Sequence, residues 1–183
     1  MHWALEQLLV GRADRQTIAK YATGADRMLG ILLMLSAALL GLALTQPLLT
    51  AGGFMALAGE YSLLELIKAL FLSGRGAVAL IIALFVIVFP VVLLSLAFDV
   101  WYKFELGGDK FERKSARLRA LGRLVLPVFA LIPIALYLAG READVILHGA
   151  GLYLVASFAL LKIATARMQP LTRAVRFVDA EEN

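Results

Sequence analysis

The stretch DVWYKFELGGDKFERKSARLRALGR, residues 99–123, decides the fold, and it lies between two apolar runs, 76–98 and 124–139. It carries seven Lys and Arg residues, whereas the runs on either side carry none. Two further basic segments, 1–27 and 162–183, carry four each. Because Lys and Arg are retained on the cytoplasmic side of a membrane, we place all three segments in the cytoplasm.

Four apolar runs alternate with five more polar segments along the chain. The runs are 28–49, 76–98, 124–139 and 145–161. The two remaining connections hold the other basic residues, Lys68, Arg75 and Arg141. This asymmetry predicts an all-α integral membrane four-helix bundle with both termini in the cytoplasm, Lys114 inside and Glu60 outside. A cytoplasmic N-terminal segment (1–27) precedes a transmembrane domain (28–168) and a cytoplasmic tail (169–183).

The composition agrees with a membrane protein and argues against other classes. Hydrophobic residues make up 61% of the chain and charged residues 17%, against about 45–50% and about 25% in a soluble domain. The net charge of +4 borders the apolar runs and leaves no polar domain to bind nucleic acid. Basic residues in that position attract anionic lipid headgroups. The chain has no Cys, which excludes disulfides, thiol catalysis and Cys-based metal sites.

The first two runs carry residues that shape helix packing. Small residues in the first run permit close approach of another helix: Gly30, Ser36, Ala37, Ala38 and Gly41. Gln46 and Pro47 are predicted to close this helix, and 50–53 to form a turn. Pro90 lies inside the second run and predicts a kink that frees the carbonyl near Val86. This kink is either purely structural or a moving hinge.

The outer connection between these runs is predicted to contain a helix at 62–73. Ser62 and Glu65 have the spacing of a capping box. An apolar stripe follows at helical spacing: Leu63, Leu66, Ile67 and Leu70. The amphipathic pattern predicts a helix lying on the outer membrane surface. The alternative is that the stripe packs on the bundle and caps it.

The predicted cytoplasmic segments leave several alternatives open. Residues 2–10 form either an interfacial amphipathic turn or a frayed terminus. The stretch 110–123 is predicted to be a basic helix leading into the third span, and is either an ordinary cytoplasmic loop or a contact for acidic headgroups or an acidic partner. A tight outer turn is expected at 140–144. The fourth helix is predicted to end at Pro170.

Residues that could carry chemistry are sparse. The two histidines, His2 and His148, fall on opposite sides of the membrane in this topology, which argues against a bis-His haem. The cores of the four runs lack ionisable residues, which argues against an ion pump. Ser36, Ser95 and Ser157 have no His at a suitable depth for nucleophilic catalysis. We therefore expect no enzyme activity, no cofactor and no metal site.

Four motifs resemble a known family. In chain order they are TQPLLT (45–50), EYSLLELIKAL (60–70), FP (89–90) and GLYL (151–154). They are similar to the membrane module of the paraquat-inducible protein A (LetA-type) family, over about residues 26–98 and 149–166. Family members often carry Cys-rich zinc ribbons, which this Cys-free chain cannot form. The family's Trp-Ser-Met-like motif before the third helix is replaced by GRLV (122–125).

The resemblance implies a protein of the bacterial inner membrane that moves lipid across the envelope with a periplasmic lipid-shuttling partner. The alternative function is a non-catalytic accessory subunit that scaffolds a larger membrane complex. The expected partners are membrane lipids and a membrane or periplasmic protein. A protein that handles lipid needs an apolar route for the acyl chains and polar groups that contact the headgroup. The candidate contacts for lipid or partner are Gln46, Pro47, Glu65, Pro90, Ser95, Asp99, Arg123, Ser157 and Lys162.

Overall fold

The computed structural model describes residues 16–53, 57–106, 108–140 and 145–181. The predicted N-terminal turn at 2–10 and residues 141–144 of the predicted outer turn lie outside these ranges. The helices are α1 (Ile18–Tyr21), α2 (Leu29–Thr45), α3 (Leu63–Leu72), α4 (Gly76–Lys103), α5 (Asp109–Gly140) and α6 (Ala150–Glu181). The strands are β1 (Pro47–Gly52), β2 (Ala58–Ser62) and β3 (Val145–Leu147). A 3-10 turn, Gly24–Met28, leads into α2.

Three helical stretches of the described chain are long and apolar enough to cross a membrane: Gly24–Thr45, Gly76–Lys103 and Ala150–Thr172. They correspond to the first, second and fourth predicted spans. In the most apolar part of α4 only 22% of the residues are buried. Soluble proteins rarely expose so much contiguous apolar surface, so these are the helices of a membrane-embedded protein. The third span, which would lie in α5, and the orientation of the chain stay predictions.

Helix α4 contains two π-helical segments. Ala83–Val88 and Asp99–Lys103 have π geometry, in which an N–H bonds the carbonyl five residues back. Pro90 follows the first of these segments and has no N–H to donate to the carbonyl four residues back. The disturbance predicted at Pro90 therefore takes the form of a π segment in the preceding turn, and the helix continues through it.

Helix α5 joins the basic stretch to the third apolar run without a break. Its buried residues follow one face at alternating spacings of four and three: Phe111, Ser115, Leu118, Gly122 and Val125. Gly122 permits close packing, since a Cβ placed there would lie 3.7 Å from side-chain atoms of Thr165 and Gln169 in α6. The exposed side of α5 carries Arg113 and Arg117.

A three-stranded antiparallel sheet, in the order β2-β1-β3, corrects the all-α prediction. Strand β1 occupies the stretch predicted as the end of the first helix and the turn at 50–53, and β3 the stretch predicted as the start of the fourth helix. The first helix ends early because Pro47 has no N–H to donate to the carbonyl of Ala43. Beyond that point the backbone groups pair between strands instead.

The predicted stop of the last helix at Pro170 is wrong, since α6 runs through this residue to Glu181. Proline removes one backbone hydrogen bond, to the carbonyl of Ala166, but leaves those of its neighbours in place. Thr172 Oγ1 also donates to the Gln169 carbonyl at 2.9 Å, which satisfies an acceptor in the same turn. One missing bond is therefore not sufficient to end the helix here.

The predicted capping box of α3 is confirmed. The Ser62 backbone N–H donates to Glu65 Oε2 at 2.9 Å, and the Glu65 N–H donates to Ser62 Oγ at 3.4 Å. The apolar stripe of α3 faces inward, with Leu63 and Leu70 buried. Leu70 packs with Leu49 and other residues of the sheet. The stripe is thus used for packing, as the alternative interpretation held, and a position on the membrane surface stays a prediction.

The chain forms two compact units. One, which we call the basic unit, comprises the described residues up to Leu35, Val92–Val125 and the residues from Leu160 onward. The other, the sheet unit, comprises Ser36–Val91 and the described part of Leu126–Ala159. The basic unit holds most of the described Lys and Arg residues, and the sheet unit holds all three strands and α3.

Within the sheet unit, two fully buried serines join α2 to α6. Ser36 Oγ donates to the Ser157 carbonyl at 2.8 Å, and Ser157 Oγ donates to the Ser36 carbonyl at 2.7 Å. The two hydroxyl oxygens are 3.2 Å apart. Small residues at such a crossing let the two backbones approach, and the hydroxyls supply interhelical hydrogen bonds. The packing role predicted for Ser36 is confirmed, and Ser157 is its partner.

We expect Ser36→Ala to lower the free energy of unfolding by about 1 kcal/mol, because one interhelical hydrogen bond is lost. Ser36→Leu should cost a further 1–3 kcal/mol or so, since the site has no room. Ala38→Leu is the matched control, because Ala38 is exposed on the same helix. Reversible unfolding in mixed micelles measures all three. Equal losses for the leucine variants at 36 and 38 would contradict the serine contact.

The cap of α3 should depend on pH. The backbone N–H and the hydroxyl of Ser62 hold the pKa of Glu65 below its ordinary value, because both donate to its carboxylate. Its contribution to stability is therefore present above the unfolded pKa and is lost as the pH falls through the folded value. Hydrogen exchange of residues 63–72, corrected for intrinsic rates, should show greater protection than in Glu65→Gln at about pH 6, and this difference should shrink as the pH falls through the folded pKa of Glu65. A difference that does not shrink with falling pH would contradict this assignment.

Candidate functional site

The sheet brings one polar cluster together from its three strands. Thr50 and Glu60 are cross-strand partners, and His148 directly follows β3. Thr50 Oγ1 lies 2.7 Å from His148 Nε2, and Glu60 Oε1 lies 3.9 Å from the same nitrogen. The His148 backbone N–H donates to the Leu48 carbonyl at 2.9 Å, which extends the pairing of β1 with β3.

This cluster is built for holding strands rather than for acyl transfer. In a catalytic triad the hydroxyl and the carboxylate contact different nitrogens of the imidazole, so that one orients the ring while the other loses its proton. Here Thr50 and Glu60 face the same nitrogen of His148. The cluster therefore ties β1, β2 and the end of β3 together, and its half-buried position suits a polar contact at the rim of the sheet.

A second feature of the sheet unit is the exposed apolar face of α3. This face consists of Leu64, Phe71 and Leu72, with exposed fractions of 48%, 51% and 80%. Residues seven and eight apart lie on the same side of a helix. The face is thus distinct from the buried stripe that packs on the sheet. On the edge strand β3, Ile146 is also exposed. Apolar side chains held outward on ordered elements indicate a contact surface for lipid or protein.

Five of the sequence-predicted contact residues lie in the sheet unit and have separate surroundings. Gln46 and Pro47 are exposed where α2 gives way to β1. Glu65 is exposed and caps α3. Pro90 is buried within α4, and Ser157 is buried against α2. Of these five, only Gln46, Pro47 and Glu65 are accessible to a partner.

The other four predicted residues lie in the basic unit. Ser95 and Arg123 are exposed on α4 and α5. Lys162 Nζ donates to the Gly122 carbonyl at 3.3 Å and so links α6 to α5. This bond satisfies an acceptor beside the close approach of the two helices. Lys162 thus has a structural role, which its position at a helix end alone did not predict.

Asp99 pairs with two lysines, one on each of two helices. Its Oδ1 lies 3.8 Å from Lys103 Nζ and its Oδ2 lies 3.5 Å from Lys114 Nζ. Lys103 is one turn further along α4, whereas Lys114 belongs to α5. Since Asp99 is less than one third exposed, the carboxylate is partly shielded from water and screened less than a surface group. Asp99 therefore holds the start of α5 against the end of α4.

The nine predicted residues are divided between the two units, and several have local partners that fix the fold. Their role as contacts for lipid or a partner stays a prediction. Sequence reasoning missed the cluster around Thr50 and did not single out Leu72, which is exposed and lies outside the buried stripe of α3. A usable signal existed for α3, because Leu64, Phe71 and Leu72 make its apolar arc wider than one packed face requires.

Among the described residues, no group of three or more His, Asp or Glu side chains is placed to hold a metal ion.

Comparison with models of protein families, with curated proteins and with solved structures finds no match to this chain.

Proposed function

We propose that this chain is a bacterial inner-membrane protein with four transmembrane helices and both termini in the cytoplasm. It handles phospholipid together with a periplasmic partner, as the resemblance to the LetA-type family implies. Helix α5 supports a crossing by the third apolar run, because it continues unbroken through residues 124–140. These residues extend about 25 Å, and the arginines before them can snorkel to complete the roughly 30 Å of hydrocarbon in a bilayer. The clustering of basic residues before and within α5 supports the orientation.

The observation that carries the proposal is the exposed apolar face of α3. In the proposed orientation α3 follows the first span on the periplasmic side. Leu72 is 80% exposed there, although the capping box and the buried stripe hold the helix in place. Such a face can meet acyl chains at the membrane surface or the apolar surface of a lipid-carrying partner. Glu65 and Lys68, both exposed on α3, supply polar contacts beside it.

A specific observation also favours the accessory subunit. Ala38, Gly41 and Thr45 are exposed along α2, and the space around Gly41 is open, with no neighbouring atom within 4 Å of a Cβ placed there. Small residues on one side of a membrane helix let a second helix approach closely. A membrane subunit seated on this side of α2 would make the chain a scaffold, with α3 as an external cap.

The proposed orientation is tested by cysteine labelling, for which the parent chain is suited because it contains no Cys. Glu60→Cys and Arg113→Cys are exposed positions in the two units. We expect a membrane-impermeant maleimide to label the first in intact spheroplasts and the second only after permeabilisation. The reverse pattern would overturn the orientation, and labelling of both in intact cells would contradict the number of crossings.

The proposed function is tested with Leu72→Asp in the protein purified with its native partner. Loss of one apolar anchor should weaken partner binding at least about tenfold, since a buried Leu contributes about 1.5–3 kcal/mol. Transfer of labelled phospholipid from reconstituted vesicles to acceptor vesicles should slow with it. Ala58→Asp is the control, because Ala58 is exposed on β2 of the same unit and lies outside the apolar face of α3.

The outcome also separates the two functions. If Gly41→Leu expels a membrane subunit while Leu72→Asp leaves both composition and transfer unchanged, the accessory role replaces lipid handling. If Leu72→Asp slows transfer and Gly41→Leu does not, lipid handling stands.

A further inference from the structure

The basic unit contains a cavity of about 550 Å³ between the end of α4 and the start of α5. Six of its lining side chains carry the argument: Lys103, Phe104, Glu105, Asp109, Lys110 and Phe111. They comprise two ammonium groups, two carboxylates and two aromatic rings. The volume falls within the range of about 300–1,000 Å³ that is typical of small-molecule sites.

Two lysines, Lys103 and Lys114, lie close to the Phe104 ring. Lys103 Nζ and Lys114 Nζ lie 5.8 Å and 5.9 Å from the centre of the Phe104 ring, and both are held by Asp99. One carboxylate thus holds two ammonium groups beside the cavity. The Lys103 side chain is 63% exposed, so a ligand can reach it.

The charge of the lining selects the class of ligand. A purely anionic headgroup would meet Glu105 and Asp109, and a simple cation would meet Lys103 and Lys110, so each would face like charge. A ligand with a phosphate and an amine satisfies both pairs. A quaternary amine prefers an aromatic face, but Phe104 already has two ammonium groups over its ring. A primary ammonium can instead donate hydrogen bonds to the two carboxylates.

We propose that this cavity binds the zwitterionic headgroup of an aminophospholipid, with its phosphate at Lys103 and Lys110 and its primary ammonium at Glu105 and Asp109. Phe104 and Phe111 contact the glycerol region, and the acyl chains stay in the bilayer. The cavity adjoins the end of a span, α4, where headgroups lie in a membrane. This inference rests on the proposed function for its lipid ligand and deepens it by naming the headgroup.

The test is lipid titration by native mass spectrometry of the full chain released from nanodiscs. Phosphatidylethanolamine should bind about tenfold more tightly than phosphatidylcholine, whose amine cannot donate hydrogen bonds, or phosphatidylglycerol, which has no amine. This comparison uses the unmodified protein and needs no variant. Equal binding of the three lipids, or tighter binding of phosphatidylglycerol, would overturn the proposal.

Variants assign the two ends of the headgroup. The pair Glu105→Gln and Asp109→Asn should abolish the preference for phosphatidylethanolamine over phosphatidylcholine. The pair Lys103→Gln and Lys110→Gln should weaken both lipids about tenfold. Arg117→Gln is the control, because Arg117 is exposed on α5 and is not part of the lining. An unchanged preference in the acidic pair would overturn the assignment.

Two further measurements complete the test. The first distinguishes a lipid site from a site for a free metabolite, and the second separates the headgroup preference from lipid transfer. Soluble glycerophosphoethanolamine at millimolar concentration should not displace the lipid, and displacement would show a site for a free metabolite instead. Lipid transfer with the partner is measured on the same variants. If lipid transfer persists but no headgroup preference is found, only the proposed headgroup site is contradicted. If the headgroup preference persists but no transfer is found, only the proposed function is contradicted.

Discussion

In the interior of the sheet unit, Ser36 and Ser157 are fully buried, and each hydroxyl donates to the backbone carbonyl of the other. A buried hydroxyl without a partner is costly, so the two serines satisfy each other only when α2 and α6 lie side by side at this depth. Ser36 is nine residues before Thr45, the end of α2, and Ser157 is seven residues after Ala150, the start of α6. The contact therefore brings the two helix ends to a similar level.

The sheet follows from that alignment. Strand β1 begins two residues after the end of α2, and β3 ends three residues before the start of α6. Two strands that emerge side by side from neighbouring helices can pair without a long connection, and the hydrogen bond from His148 to Leu48 extends this pairing toward the helix ends. Strand β2 and α3 then complete the unit. Leu63 packs with Leu48 and Ala150, so the helix rests on the junction of the strands with α2 and α6.

The parts of this fold that sequence predicts are those that depend on near neighbours. The capping box of α3 needs only Ser62 and Glu65, three residues apart, and it was predicted correctly. The strands depend on contacts across the chain: Thr50 meets His148 over 98 positions. Apolar periodicity cannot detect such a partner, so it predicts residues 47–49 and 145–147 to be parts of the adjoining helices. Residue type likewise predicts candidate contacts but cannot show that Ser157 or Lys162 already has a bond within the fold.

Asp99 shows how a predicted residue can matter to a site that it does not line. The π segment at Asp99–Lys103 ends α4 with a hydrogen bond of 3.1 Å from the Phe104 N–H to the Asp99 carbonyl. The Asp99 carboxylate meanwhile holds Lys103 and Lys114. Backbone and side chain of one residue thus fix both the ring and the ammonium groups around it. Replacing the carboxylate would leave the lysines to repel each other and would open the cavity wall, so Asp99 acts as a positioning residue for the proposed headgroup site.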